Sequence, residues 1–354
     1  MHGDSRSISS SPRRNPSRFR VDRPIDVVLV GEAHALHHIR RKEYAERPLR
    51  VSAILKGLER IDVSWHASRE YSLDPIREVH DGGMVDFLEK AARRLADGVH
   101  LYPEAFPLPS QRRSPKSWEF QLGFYCNDAF TPVTNRVFHI ARQSVHCAMT
   151  GADLILEGSP LAYSLCRPPG HHTTRGIFGG YCYLNNTAIA AHYLSQKGKV
   201  AIVDLDYHHG NGTQDIFYHR GDVFFASIHG HPDFSYPYFA GYANERGEGE
   251  GRGRNRNFPL QSGIGDGEYQ AALEKTCVAI RRFRPKYLVV SLGLDIMRGD
   301  QEGTFLVTAA GMREIGAMLH EIGVPTLVIQ EGGYALNNLR RGAVAFLGGL
   351  GGAK

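Results

Sequence analysis

Six short, almost uninterrupted apolar runs do most to limit what this chain can fold into. They are Ile25 to Val30, Asp153 to Leu156, Val200 to Leu205, Val223 to Ile228, Tyr287 to Leu292 and Thr326 to Gln330. A strand with one wet face alternates polar and apolar residues, whereas a strand covered on both faces does not. Helical patterns separate several of the runs, at Asn186 to Gln196, Gly267 to Phe283 and Thr308 to Gly323. This alternation predicts an α/β fold, a single open, doubly wound parallel sheet sandwiched by helices. With 354 residues, the chain can bury such a core in one domain spanning 24–354. No apolar run reaches the roughly 18 to 20 residues a membrane span needs, so no membrane partner is expected.

Charge is unevenly placed. The net charge is +5, yet residues 1–23 alone hold six Arg against Asp4 and Asp22, which leaves about +1 for the remainder. That balance argues against nucleic acid as a partner of the folded domain. The Ser/Pro/Arg-rich segment 1–23 reads as a basic, disordered tail with no apolar core of the secretory kind. The five Cys contain no C-x-x-C pair, which excludes a disulfide framework and favours a reducing, cytoplasmic setting. Two long irregular stretches stand out: His100 to Phe120, rich in Pro, and Glu248 to Asn257, where Gly alternates with charge. The first is long enough to expect a function of it; the second reads as a mobile surface loop.

Chemistry gathers where apolar runs end. Val200 to Leu205 ends among Asp204, Asp206 and His208, spaced i, i+2, i+4, so their side chains share one side of an extended chain. Open α/β sheets bind ligands at the carboxyl ends of their strands. Tyr287 to Leu292 likewise leads to Asp295. Asp206, His208 and Asp295 make three N/O ligands with positions left open, the pattern of a catalytic rather than a structural metal site. Arg167-Pro-Pro-Gly-His-His172 supplies two imidazoles on a stiff loop, suited to general acid–base work. Glu331-Gly-Gly-Tyr334 places a phenol at another strand end, where it could donate to a developing oxyanion. Each signal has a bland alternative, a helix cap for Asp295 and a plain turn for Gly-Gly-Tyr. Their joint occurrence is what counts.

Taken in order, Arg167 to His172, Gly179 to Asn186, Asp204 to Gln214, Gly293 to Asp295 and Glu331 to Tyr334 resemble the zinc-dependent histone deacetylase family of the arginase–deacetylase fold. The likeness runs from about Ile25 to the C-terminus. Ala162 to His172, Phe217 to Ser227 and Gln121 to Asp128 are similar to its acetylpolyamine amidohydrolase branch. The resemblance implies one Zn2+ per chain on Asp206, His208 and Asp295. It casts His172 as the general base, His171 as its electrostatic companion, and Asp204 and Asn211 as their respective partners. Tyr334 matches the phenol that polarises the acetyl carbonyl, and Gly180, Tyr181 and Tyr236 match the wall of the acyl-amine tunnel. A monovalent cation, K+ or Na+, is implied beside Asp204, Asp206, His208, Ser227 and Ile228, with a second site at Phe217, Arg220 and Val223.

The implied reaction is hydrolysis of the amide of a small acetylated amine to acetate and free amine. In that branch the long early loop builds a homodimer with a narrowed entrance, and His100 to Phe120 looks like that insertion. Glu119 resembles an acid that would bind a distal ammonium, although Arg112, Arg113 and Lys116 in the same loop oppose it. The competing reading is an acetyl-lysine protein or peptide deacetylase using the same site. A two-metal ureohydrolase-like enzyme would need further Asp and His ligands, and the tandem His followed by Glu331-Gly-Gly-Tyr334 favours the one-zinc branch; a non-catalytic binder would lack a ligand, His172 or Tyr334, and all are present. His34, His37 and His38 have metal-like spacing but read as rim or surface residues, and His209 reads as structural.

Overall fold

The computed structural model describes residues 24–108 and 113–352; the tail 1–23 and Arg112 lie outside them. Eight strands form one sheet: β1 (Ile25–Leu29), β2 (Val63–Ala67), β3 (Leu161–Leu165), β4 (Val200–Asp204), β5 (Val223–Gly230), β6 (Asn255–Leu260), β7 (Tyr287–Leu292) and β8 (Thr326–Gln330). The order is β2-β1-β3-β8-β7-β4-β5-β6, and every pairing is parallel. Strands β3, β4, β5, β7 and β8 are buried along their whole length, as their unbroken apolar runs require.

Among the described residues, ten α-helices accompany the sheet: α1 (Leu49–Leu58), α2 (Asp74–Val79), α3 (Gly82–Arg94), α4 (Leu122–Tyr125), α5 (Val137–Leu156), α6 (Asn186–Ser195), α7 (Asn211–Phe217), α8 (Asp266–Phe283), α9 (Ala309–His320) and α10 (Leu336–Leu350). Helices α5 and α6 pack on each other and on the central strands, while α1, α10, α9 and α8 pack in succession as a second layer. The single sheet between two helical layers is the fold the sequence predicts.

Four local expectations need correction. Asp153 to Leu156 is the last turn of α5, not a strand. Three apolar residues in a row cannot by themselves separate strand from buried helix, and Asp153 faces outward to accept from Tyr71 and Tyr193. The neighbouring strand is Leu161–Leu165. Edge strand β2 escaped notice because it is half-exposed and carries Ser64 and His66. The stretch 248–257 is not wholly a loop, since β6 begins at Asn255. There Asn255 and Asn257 turn inward and donate to Gln214, so a polar sequence still builds a buried strand face. His37, finally, is buried against Tyr44 rather than at the surface.

Candidate active site

Four segments that carry the candidate residues follow β3, β8, β7 and β4, and those four strands are consecutive in the sheet. Residues far apart in sequence therefore meet along one edge. The backbone ties them: Leu205 N donates to Ser291 O, Glu331 N to Leu292 O and Leu294 N to Gly332 O. Gly293 and Gly332 permit the closeness, because a Cβ on either would lie within 2.5 Å of Asp206 Oδ2.

Asp206, His208 and Asp295 offer ligand atoms within 4.8 Å of one another. The two acids are fully buried and His208 is nearly so. Burial, then the charge of Asp206, pushes Asp295 up to about 7, and Asp295 Oδ2 has no hydrogen-bond partner. Burial alone would lower His208, but the adjacent carboxylates of Asp206 and Asp295, 3.3 and 3.4 Å from its Nδ1, raise it well above its ordinary value. Two buried carboxylates crowded together, one with an unsatisfied oxygen, ask for a cation between them. The three residues fit a divalent ion with N/O preference. A second group, His171, Cys182 and Glu331, is also compact. Its atoms are already engaged: Glu331 accepts from Gly170 N, His171 N and Thr187, and Cys182 donates to Gly180 O. It is a polar buttress rather than a metal centre.

The tandem histidines stand side by side, ring centroids 4.0 Å apart. His171 Nδ1 lies 3.1 Å from Asp204 Oδ2, and His172 Nδ1 lies 2.7 Å from Asn211 Oδ1. Burial opposes charge on both, but Asp206 and Asp204 raise His171 to about 10. For His172, burial followed by the neighbouring His171 and His208 forces the value well below ordinary. The environments split the pair into an imidazolium and a neutral imidazole. Asn211 accepts the Nδ1 proton of His172 and so leaves Nε2 as the basic nitrogen.

Tyr181, Tyr334, Tyr236 and His172 supply the rings around the site: Tyr181 meets Tyr334 at 5.9 Å and His172 meets Tyr236 at 4.8 Å. Gly180 holds a left-handed φ of 58°, and a Cβ there would collide with His172. Asp128 fixes this wall by accepting from Gly180 N at 2.5 Å. Of the residues assigned to a monovalent cation, Asp204 pairs with Ser227 across β4 and β5, with Ile228 next and Asp206 and His208 in the following turn. Phe217, Arg220 and Val223 lie between α7 and β5, where Arg220 N already takes the Phe217 carbonyl. Glu119 is not brought to the site within this chain. It is exposed, bonded to Ser117, and lines a separate cleft with Phe106, Phe120 and Phe124.

Sequence reading missed the groups that hold the site in place. Arg50, fully buried in α1, donates to the carbonyls of Gly333 and Glu331 and stacks over the Tyr334 ring at 4.9 Å. Glu46 binds both Arg50 (2.9 Å) and Arg167 (2.8 Å), and Arg167 donates onward to the carbonyls of His34 and His37. Asp300 accepts from the backbone N–H of Tyr334 and Ala335. Glu302, two residues on, is half-buried, with no side-chain hydrogen bond or ion pair among the described residues, and its charge is felt by Tyr181 and His208. The two acids of Arg298-Gly-Asp-Gln-Glu302 are the sequence cue to the last two.

A model of the histone deacetylase domain matches residues 44–350. The chain belongs to the histone deacetylase family. It is a hydrolase of that family, and the zinc dependence of the family agrees with the Asp206, His208, Asp295 cluster. It is 40% identical over 341 residues to the acetylpolyamine amidohydrolase of Mycoplana ramosa, covering 92% of this chain and 99% of that one. It is 38% identical over 338 residues to acetylpolyamine amidohydrolase 2 of Pseudomonas aeruginosa, covering 92% and 98% respectively. The crystal structure of an acetylpolyamine aminohydrolase from Burkholderia pseudomallei superposes with a TM-score of 0.87 at 34% identity, over 92% of this chain and 98% of that one. Among the described residues, no helix is long and apolar enough to cross a membrane.

Proposed function

We propose that this chain deacetylates N-acetylated polyamines and similar small acetylated amines. The chemical part rests on the constellation of Asp206, His208 and Asp295 with His172 and Tyr334. A divalent ion on the three ligands, zinc by family, supplies Lewis acidity toward the amide carbonyl and toward water. His172 Nε2 takes a proton from the attacking water as the C–O bond forms. Tyr334 donates to the carbonyl oxygen as it gains charge, which stabilises the tetrahedral state. His171, held by Asp204, keeps positive charge beside the reacting centre. His172 then hands its proton to the nitrogen, the C–N bond breaks, and acetate and amine leave.

Glu302 is the observation that favours a cationic amine. An unpartnered, half-buried carboxylate near Tyr181 and His208 stabilises a second ammonium along the substrate and offers nothing to a neutral chain. Glu302→Gln is expected to raise KM for acetylated diamines roughly tenfold, about 1.4 kcal/mol. KM for a neutral N-alkylacetamide should stay put; equal losses on both would remove Glu302 from recognition. The similar proteins named for acetylpolyamines support the same substrate class.

The deciding assay measures acetate released from N-acetylputrescine, N-acetylcadaverine and an acetyl-lysine peptide, each with and without chelator. The diamines should be favoured, and chelator should abolish turnover of all three. A preference for the peptide would transfer the same chemistry to a protein-deacetylase role. We further propose a homodimer in which His100 to Phe120 narrows the entrance, with K+ or Na+ beside Asp204 and Ser227, in the cytoplasm. Light scattering should give twice the 39.4 kDa chain mass; a monomer would sink the narrowed entrance.

A further inference from the structure

The folded domain carries almost no net charge, yet its cations are not spread evenly. Five side chains of α8 face one way at helical spacing: Lys275, Val278, Ala279, Arg282 and Phe283. Opposite them, edge strand β6 and the residue before it present Arg254 and Arg256, while Asn255 and Asn257 turn to the other face. Together they form a cleft floored by Phe224, Val278, Ala279 and Phe283 and walled by four cations, and among the described residues no Asp or Glu lines it.

These cations lack partners. Among the described residues, Arg254, Arg256, Lys275 and Arg282 make no ion pair, and the Nε atoms of Arg254 and Arg256 are buried without a hydrogen-bond acceptor. Arg254 instead lies 5.1 Å over the Phe283 ring. Burial, then Arg246 and Arg282, pushes Arg256 below its ordinary value, so the group is self-repelling. The simplest structural explanation is that Arg281 and Arg282 offset the carbonyl end of α8. A helix end carries only about half a negative charge, however, and cannot compensate this many cations. Unsatisfied buried guanidinium N–H groups are costly unless an acceptor arrives.

We propose that this cleft is a binding site for an oligophosphate anion, such as a di- or triphosphate, carried free or on a small molecule. Guanidinium groups bind phosphate oxygens through paired N–H donors, and several converging cations select a polyvalent anion over a single carboxylate. The apolar floor leaves room for a flat group attached to the phosphates. The cleft lies at the beginning of β6, the end of the sheet opposite the strand termini that build the active site. An occupant therefore leaves the tunnel open.

The test is calorimetric titration of the full chain at low salt with sodium tripolyphosphate, ATP and a single-stranded oligonucleotide. Tripolyphosphate should bind, weaken with added salt, and lose at least tenfold affinity in the Arg256→Gln/Arg282→Gln double variant. Equal affinity for ATP identifies the phosphate chain as the ligand; tighter ATP binding adds the floor. The double variant should keep its deacetylase turnover, which shows that it folds. Absence of tripolyphosphate binding, binding that the double variant leaves unchanged, or binding of the oligonucleotide alone would each overturn the proposal. Arg60→Gln/Arg93→Gln, away from the cleft, serves as the control that must bind normally.

Discussion

Replacing Tyr334 by Phe should lower kcat by about 10²- to 10³-fold while leaving metal content and fold intact. The side chain sits in a frame that does not depend on its hydroxyl. Asp300 holds its backbone N–H, Arg50 holds the carbonyls of Glu331 and Gly333, and the Arg50 guanidinium covers its ring. Burial raises the phenol well above its ordinary value, and the lowering by Arg50 does not offset it. The proton therefore stays on Oη at neutral pH, where it can be donated to an oxyanion. Phe keeps the ring and loses only that donor, so KM should change little. Kinetics and zinc analysis on the same preparation check this. A variant that lost its metal, or that lost activity only through KM, would place Tyr334 outside the chemistry.

Glu46→Ala should be the most destabilising single change near the site, by about 3–5 kcal/mol. Glu46 is fully buried and shared by Arg50 and Arg167, themselves buried. Removing it leaves two guanidinium groups without their counter-charge in a dry interior. A loss of that size is a large part of the whole stability of a typical domain, roughly 5–15 kcal/mol, so the denaturation midpoint should fall sharply. The pH dependence has a definite sign. Burial raises the Glu46 carboxyl, but Arg167 and Arg50 outweigh it and hold its value below the ordinary 4.5. Its contribution is complete above that value and is lost only as pH falls through the lower folded one. Wild type and variant should therefore converge in stability in strong acid and differ fully at neutral pH. Parallel curves across that range would mean the charge of Glu46 is not what matters.

The chemistry was legible because it sits at the ends of apolar strands, where a polar residue has no reason to be unless it is used. Asp206, His208 and Asp295 follow such runs, the tandem His171 and His172 stand out on their Pro-Pro-Gly loop, and the structure brings them together. Glu46, Arg50 and Asp300 were not legible for the opposite reason. Each lies in an ordinary charged stretch, and its burial depends on a partner far along the chain that no local pattern announces. Glu119, an acid in a suggestive loop, is held by its own chain against Ser117 and solvent, and a role for it rests on the proposed dimer. Edge strands β2 and β6 were hidden because a strand with one neighbour needs no continuous apolar run. The short apolar run Asp153 to Leu156 misled because helix and strand interiors use the same residues.

The order of strands has a bearing on how the enzyme comes into being. The site is stitched from β3, β4, β7 and β8, and Gly170 N meets Glu331 across 161 positions of sequence. Pairings so remote close large loops and are slow to form. During synthesis, Asp206 and His208, just past β4, emerge long before β8 can slot between β3 and β7. Until that last insertion the sheet has a gap at its centre, and the tandem histidines lack the acid beneath them. A nascent chain stalled before residue 331 is therefore expected to be catalytically silent, with activity arriving as a late, all-or-none event.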